Sequence, residues 1–178
     1  SMEVIFKPQQ LKGGKYRFDV GTAGSISLVL QGLIPPLLFA DRESFLEIRG
    51  GTDVHWSPPI DAIRYVFVPI LRKMGADISI DVKRRGHYPK GGGIVHVTIS
   101  PSDSIRPIEL IEMGKIRIIH GISHCVKLPS HIAIRQARSA SKYLEEHGFL
   151  TNIKTEFYDP SNDPHLGPGS GIVLWVET

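Results

Sequence analysis

The chain has 178 residues, 41% of them hydrophobic and 22% charged, a globular composition able to build one good domain or two small ones. A net charge of +3 and a sequence pI near 9.0 permit a nucleic-acid partner without demanding one. The single cysteine, Cys125, excludes an internal disulfide and suits a reducing, cytoplasmic setting, and no apolar run free of prolines and charges is long enough to cross a membrane.

Ser1 ahead of Met2 reads as the remnant of a cleaved tag, and no signal peptide follows it. Glu3–Gln9 alternates like a strand and starts so abruptly that preceding residues are expected to be missing. Tyr16–Val20 is the next strand. Gly21-Thr22-Ala23-Gly24-Ser25 then forms a small-residue turn before a helix start, where free N–H groups favour an anion; tight packing is the commoner cause of such a turn. The helix expected over 23–39 puts Ile26, Val29, Leu30, Leu33 and Leu37 on its core face. Gly24, Ser27, Leu28 and Gln31 share a neighbouring face that could form a groove ending at Gln31. Pro35 and Pro36 remove the N–H groups that would bond to the carbonyls of Gln31 and Gly32. The plainer reading is a kinked helix with a surface glutamine.

Phe45–Arg49 reads as a strand, and Ser57-Pro58 as the N-cap and first residue of a helix over 58–74 with Ile60, Ile63, Phe67, Ile70, Leu71 and Met74 buried. Ala76–Lys83 and Ile94–Ile99 are strands joined by Arg84–Gly93. The fold class expected is therefore α/β (α+β): a four-stranded sheet with two helices on one face over roughly residues 3–100. The serine- and proline-rich Pro101–Pro107 places a domain boundary that divides the chain into 1–103 and 104–178. Beyond it, Lys115–Ile119, Ile122–Lys127, Ile153–Tyr158 and Ile172–Val176 read as strands and Ser130–His147 as a helix. The proline-rich loop DPSNDPHLGPGSG is expected to be mobile or functional.

The loop Arg84–Gly93 has the composition of a nucleic-acid contact. Arg84, Arg85, His87 and Lys90 would meet phosphates and Tyr88 would stack on a base, among glycines that let a ligand approach the backbone. A solvated hairpin tip has the same composition. None of the eight histidines shows metal-ligand spacing, so no metal ligand is assigned, although Asp53 and Asp61 could hold a cation. Both aspartates also make sense as a turn residue and a helix-start residue. No nucleophile–base pair is readable.

GGKYRFDVGTAGS, SLVLQGLIPPLLFAD, GGTDVHWSPPIDAIR and RRGHYPKGGG, in this order, resemble the RNA 3′-terminal phosphate cyclase family, with archaeal-type members nearest. LPSHIAIRQAR and GPGSGIVLWVET extend the resemblance towards residue 178. It implies an ATP-dependent, ligase-class enzyme that uses Mg2+ or Mn2+ to convert an RNA 3′-phosphate end to a 2′,3′-cyclic phosphate through enzyme–AMP and RNA–AMP intermediates. It also implies a repeat unit shared with enolpyruvyl transferases over 1–103 and an incomplete, thioredoxin-like insert domain over 104–178. Gln31 matches the family's ATP-binding glutamine and Pro59 a residue packing on adenine. The family's glycine- and arginine-rich opening and its histidine-nucleophile motif have no match here, so no catalytic residue is assigned and this chain alone is expected to be inactive. A non-catalytic, RNA-binding relative acting in ribosome assembly is the alternative, and an enolpyruvyl transferase-like domain a weaker one. The expected partners are RNA 3′-phosphate ends and ATP, with no membrane. Exposed sheet edges suggest self-association into a homo-oligomer.

Overall fold

The computed structural model describes residue 3, residues 5–7 and residues 9–178. The strand expected over 3–9 lies partly outside the described residues, and the described ones there form none. Regular structure begins with β1 (Lys15–Asp19), followed by α1 (Ile26–Leu37) and β2 (Ser44–Gly50). A helical run of α2 (Ile60–Ala62), a π-helical stretch (Ile63–Phe67) and α3 (Val68–Lys73) leads to β3 (Asp77–Arg84) and β4 (Gly93–Ser100).

These four strands form one sheet in the order β1-β2-β4-β3. β1 lies parallel to β2, and β4 pairs antiparallel with both β2 and β3. The period-2 pattern of β4 puts Val95, Val97 and Ile99 on the same face as Leu46 and Ile48 of β2. Ile26, Leu30, Ile34, Ile60, Ile63 and Val68 of the helices close on that face, so both helical segments cover one side of the sheet.

Two local expectations change. The groove proposed along α1 does not form, because Ser27 is fully buried and a Cβ on Gly24 would lie 2.6 Å from the Val20 side chain. Both small residues allow close packing; Leu28 and Gln31 are exposed. The second helix is not uniform, since Pro69 has no N–H for the carbonyl of Tyr65 and the turn before it widens into the π-helical stretch.

Residues 101–117 contain no helix or strand and lead to a second sheet. It comprises β5 (Ile118–Val126), β6 (Thr151–Glu156) and β7 (Gly169–Glu177) in the order β6-β5-β7, with α4 (His131–Glu146) between β5 and β6. β5 is parallel to β6 and antiparallel to β7. The two short strands expected on either side of Gly121 are one continuous strand. Gly121 lies within it as a packing residue, because a Cβ there would sit 2.5 Å from the Leu174 side chain.

Candidate functional site

The backbone after β2 and the backbone after β3 are drawn together by their small residues. The Thr52 N–H donates to the Gly86 carbonyl at 2.8 Å, and the Gly86 N–H donates to the Thr52 hydroxyl at 2.9 Å. A Cβ on Gly86 would lie 2.4 Å from the Gly50 carbonyl oxygen, so only glycine permits this approach. Gly91, at φ +61°, likewise rests on the Thr22 carbonyl and pulls the Arg84–Gly93 loop against the turn before α1. That loop is therefore not a free hairpin tip.

Arg85 departs most from its expected role. Its side chain is buried, and its guanidinium meets three carboxylates: Glu156 at 2.8 and 2.9 Å, Asp61 at 2.7 Å and Asp53 at 3.2 Å. The phosphate contact expected of Arg85 does not fit this placement, because its donors are already committed inside the protein. Burial works against its charge, but the bonds it donates to Glu156 and the fields of Asp53 and Asp61 win and raise its pKa. Glu156 shows the converse: burial favours the neutral acid, yet Arg85 holds its pKa down at about 2. Burial, with the Glu156 charge beside it, pushes the Tyr158 hydroxyl up to about 12.

Next to this ion cluster, His87 Nε2 and His124 Nε2 face each other at 3.1 Å, and Asp53 Oδ2 lies 4.0 Å from His124 Nε2. Burial lowers the pKa of both rings, assisted by the Arg85 charge, and that of His124 falls to about 4. The sheet makes room for the rings by omitting side chains. A Cβ on Gly169 would lie 2.2 Å from His87 Cγ, and one on Gly171 would lie 3.0 Å from His124 Cε1. The loop before β7 is pinned by Asp163, which accepts from the backbone N–H groups of Lys127 at 2.6 Å and His165 at 2.9 Å.

Two adjoining clefts open beside the cluster. One, of about 470 Å³, is bounded by Ser25, Leu28, Trp56, Ser57 and Tyr88. The other, of about 550 Å³, is bounded by Asp53, Pro59, His87, Tyr88 and His124. They share Val54, His55, Ser57 and Tyr88. The Ser25 hydroxyl caps the Leu28 N–H at 3.1 Å and also bonds to the Ser57 hydroxyl, tying the start of α1 to the segment leading into α2. The Ser25 cap takes the Leu28 N–H and the Gly51 carbonyl takes that of Ile26, so two of the helix-start amides are spent inside the protein. Close packing accounts for the small residue at Gly24, where a Cβ would lie 2.6 Å from the Val20 side chain.

The other expected site residues divide by exposure. Tyr88 and Lys90 are exposed, whereas Arg84 donates to the main-chain carbonyl of Gly92 at 2.6 Å. Pro59 precedes the first residue of α2 and lines the second cleft. Gln31 lies on the exposed ridge that Ser25 and Leu28 begin, beyond the residues bounding either cleft. The sequence reading missed Trp56, which is 99% exposed at φ +64°, a backbone conformation that costs a bulky residue energy. It also missed His124, because nothing in spacing links it to a loop 37 residues earlier. Asp61, considered for a cation, instead binds Arg85 and Arg64.

Among known proteins, the family described as RNA 3′-terminal phosphate cyclase matches residues 1–170. A protein of that name from Ignicoccus hospitalis is 52% identical over 179 residues, covering all of this chain and 51% of its own length. Its namesake from Staphylothermus marinus is 54% identical over 99% of this chain and 50% of its own length, and that from Archaeoglobus fulgidus 47% identical over 98% and 51%. The chain spans about half the length of the curated relatives it matches. A family match over most of the chain, in the motifs that build the paired clefts, assigns it: the chain belongs to the RNA 3′-terminal phosphate cyclase family.

Proposed function

We propose that this chain provides the nucleotide- and RNA-facing part of an enzyme that uses ATP to close an RNA 3′-phosphate into a 2′,3′-cyclic phosphate. The observation that carries the reading is the pair of adjoining clefts, the first bordered by the exposed ring of Trp56, the second lined by Pro59, with the exposed ring of Tyr88 shared between them. Flat apolar surfaces beside polar edges are what a purine or an unstacked RNA base requires. In this reading adenine packs on Pro59, Gln31 bonds to the nucleotide from the α1 ridge, and Tyr88 and Lys90 meet RNA. Arg84 stays a candidate phosphate contact through the donors it does not spend on Gly92. His87 is better explained by its contact with His124.

An ATP-bound Mg2+ or Mn2+ prefers oxygen ligands. Asp61 and Glu156 do not offer it a site, because both are held by Arg85. No step is assigned to a metal from these residues.

The decisive assay uses an RNA oligonucleotide with a labelled 3′-phosphate, ATP, a divalent cation and the protein at the length of its relatives. The end group is expected to become phosphatase-resistant. An end that stays phosphatase-sensitive while the RNA still binds would overturn the enzymatic reading in favour of the non-catalytic, RNA-binding alternative.

A further inference from the structure

The cluster of Asp53, His87 and His124 sits where the two sheets meet, and the ligand atoms of all three lie within 4.8 Å of one another. The cyclase reading gives it no task. We propose that it binds one divalent cation of the zinc type, with Nε2 of His87, Nε2 of His124 and a carboxylate oxygen of Asp53 as ligands.

Three independent features support this. The first is spacing. Two ligand atoms bonded to a tetrahedral ion at about 2.0–2.1 Å stand roughly 3.3 Å apart, and the two Nε2 atoms stand 3.1 Å apart. The second is charge. Asp53, Asp61 and Glu156 surround Arg85, and Arg64 binds Asp61 at 3.0 Å. Three carboxylates against two guanidiniums leave one negative charge uncompensated at the edge of a buried cluster, which a cation would offset. The third is room. Gly169 and Gly171 of β7 carry no side chain at the two places where a Cβ would strike the rings of His87 and His124. The cleft bounded by Asp53, His87 and His124 supplies an entry path and an open fourth position.

The ligand set also selects the ion. Two imidazoles and one carboxylate suit Zn2+, Co2+ or Ni2+ and not Mg2+. Both Nδ1 atoms are buried without a hydrogen-bond partner among the described residues. A ligating imidazole usually gains affinity by donating from its second nitrogen, and lacking that partner costs about 10–100-fold. The expected site is therefore weaker than a structural zinc centre.

The test is titration of the chain with Co2+ alone, followed by displacement with Zn2+. One equivalent of Co2+ should give the strong visible absorption of a four-coordinate ion, and excess Mg2+ should not remove it. His124→Gln and His87→Asn should each lower the affinity by at least about tenfold, the low end of what even an outer partner contributes. His131→Ala, on the surface of α4, should leave it unchanged. In the unmutated chain, Zn2+ should shift the imidazole NMR signals of His87 and His124 and of no other histidine, a reading independent of whether a variant folds. Absence of Co2+ absorption would overturn the proposal and leave a histidine–histidine hydrogen bond only. So would uptake that persists in both variants, or shifts confined to other histidines. None of these readouts depends on ATP or RNA, so this proposal and the cyclase reading fail separately.

Discussion

Arg85 grips Glu156 through two parallel hydrogen bonds, Nε to Oε1 at 2.8 Å and Nη2 to Oε2 at 2.9 Å, and so fastens the loop after β3 to the end of β6. The two residues are 71 positions apart and belong to different sheets. Removing the cation would leave buried Asp61 with Arg64 alone and part-buried Asp53 without a cationic partner. Arg85→Ala should therefore lose about 3–5 kcal/mol in chemical denaturation. A loss below about 1 kcal/mol would mean that water or a rearrangement satisfies the carboxylates.

The same pair sets an acid limit. The Glu156 carboxyl is depressed to about 2 in the folded chain and returns to its ordinary 4.5 on unfolding. Its contribution is thus complete above the ordinary value and is lost as pH falls from 4.5 towards 2. It amounts to about 2–3 kcal/mol, discounted for partial exposure. Asp163 acts in the same direction: burial opposes its charge, but the Lys127 and His165 backbone N–H groups lower its pKa. Urea denaturation between pH 6 and pH 3 should show stability falling, with a shallower slope in Glu156→Gln. Parallel slopes would place the acid sensitivity elsewhere.

Ser25→Ala removes the cap on α1 and the link to Ser57 together. The expected loss is about 1 kcal/mol, or roughly 2–4 °C in melting temperature for a chain of this size. Calorimetry on the two chains reads it directly. An unchanged midpoint would show that packing of Ile26 and Leu30 alone holds the helix start.

RNA binding, if it uses this face, should separate charge from stacking. Lys90→Ala should weaken a single-stranded RNA and reduce the salt slope by about 0.7. Tyr88→Ala should cost about 1–3 kcal/mol with the slope unchanged. Both side chains are exposed, so stability should not move. Fluorescence anisotropy at several salt concentrations distinguishes the two effects, and equal affinities for all three chains would remove the loop from the interface.

Nucleotide binding offers a compact check, since Trp56 is almost fully exposed beside the cleft. ATP should quench its fluorescence saturably, and Gln31→Ala should weaken the binding by about 0.5–1.5 kcal/mol. Quenching that is linear in ATP, or insensitive to Gln31, would deny that residue the role.

The order of strands and helices was legible in the sequence because local signals set it. Val95, Val97 and Ile99 alternate at period 2, Ser25 can cap a helix, and Gly75 and Gly148 end helices at φ +102° and +84°. The motifs around Gln31 and Pro59 likewise carried the family resemblance before any fold was drawn. Gly121 misled because a glycine that breaks a strand and one that admits a neighbour look identical in one dimension. Composition also failed for Arg85: an arginine beside glycines reads as a phosphate contact until Asp53, Asp61 and Glu156 arrive from three other segments. Burial and charge pairing are sums over space, so only the tertiary structure could decide them. It turned Arg85 inward, left Trp56 in the open, and brought His124 within 3.1 Å of His87.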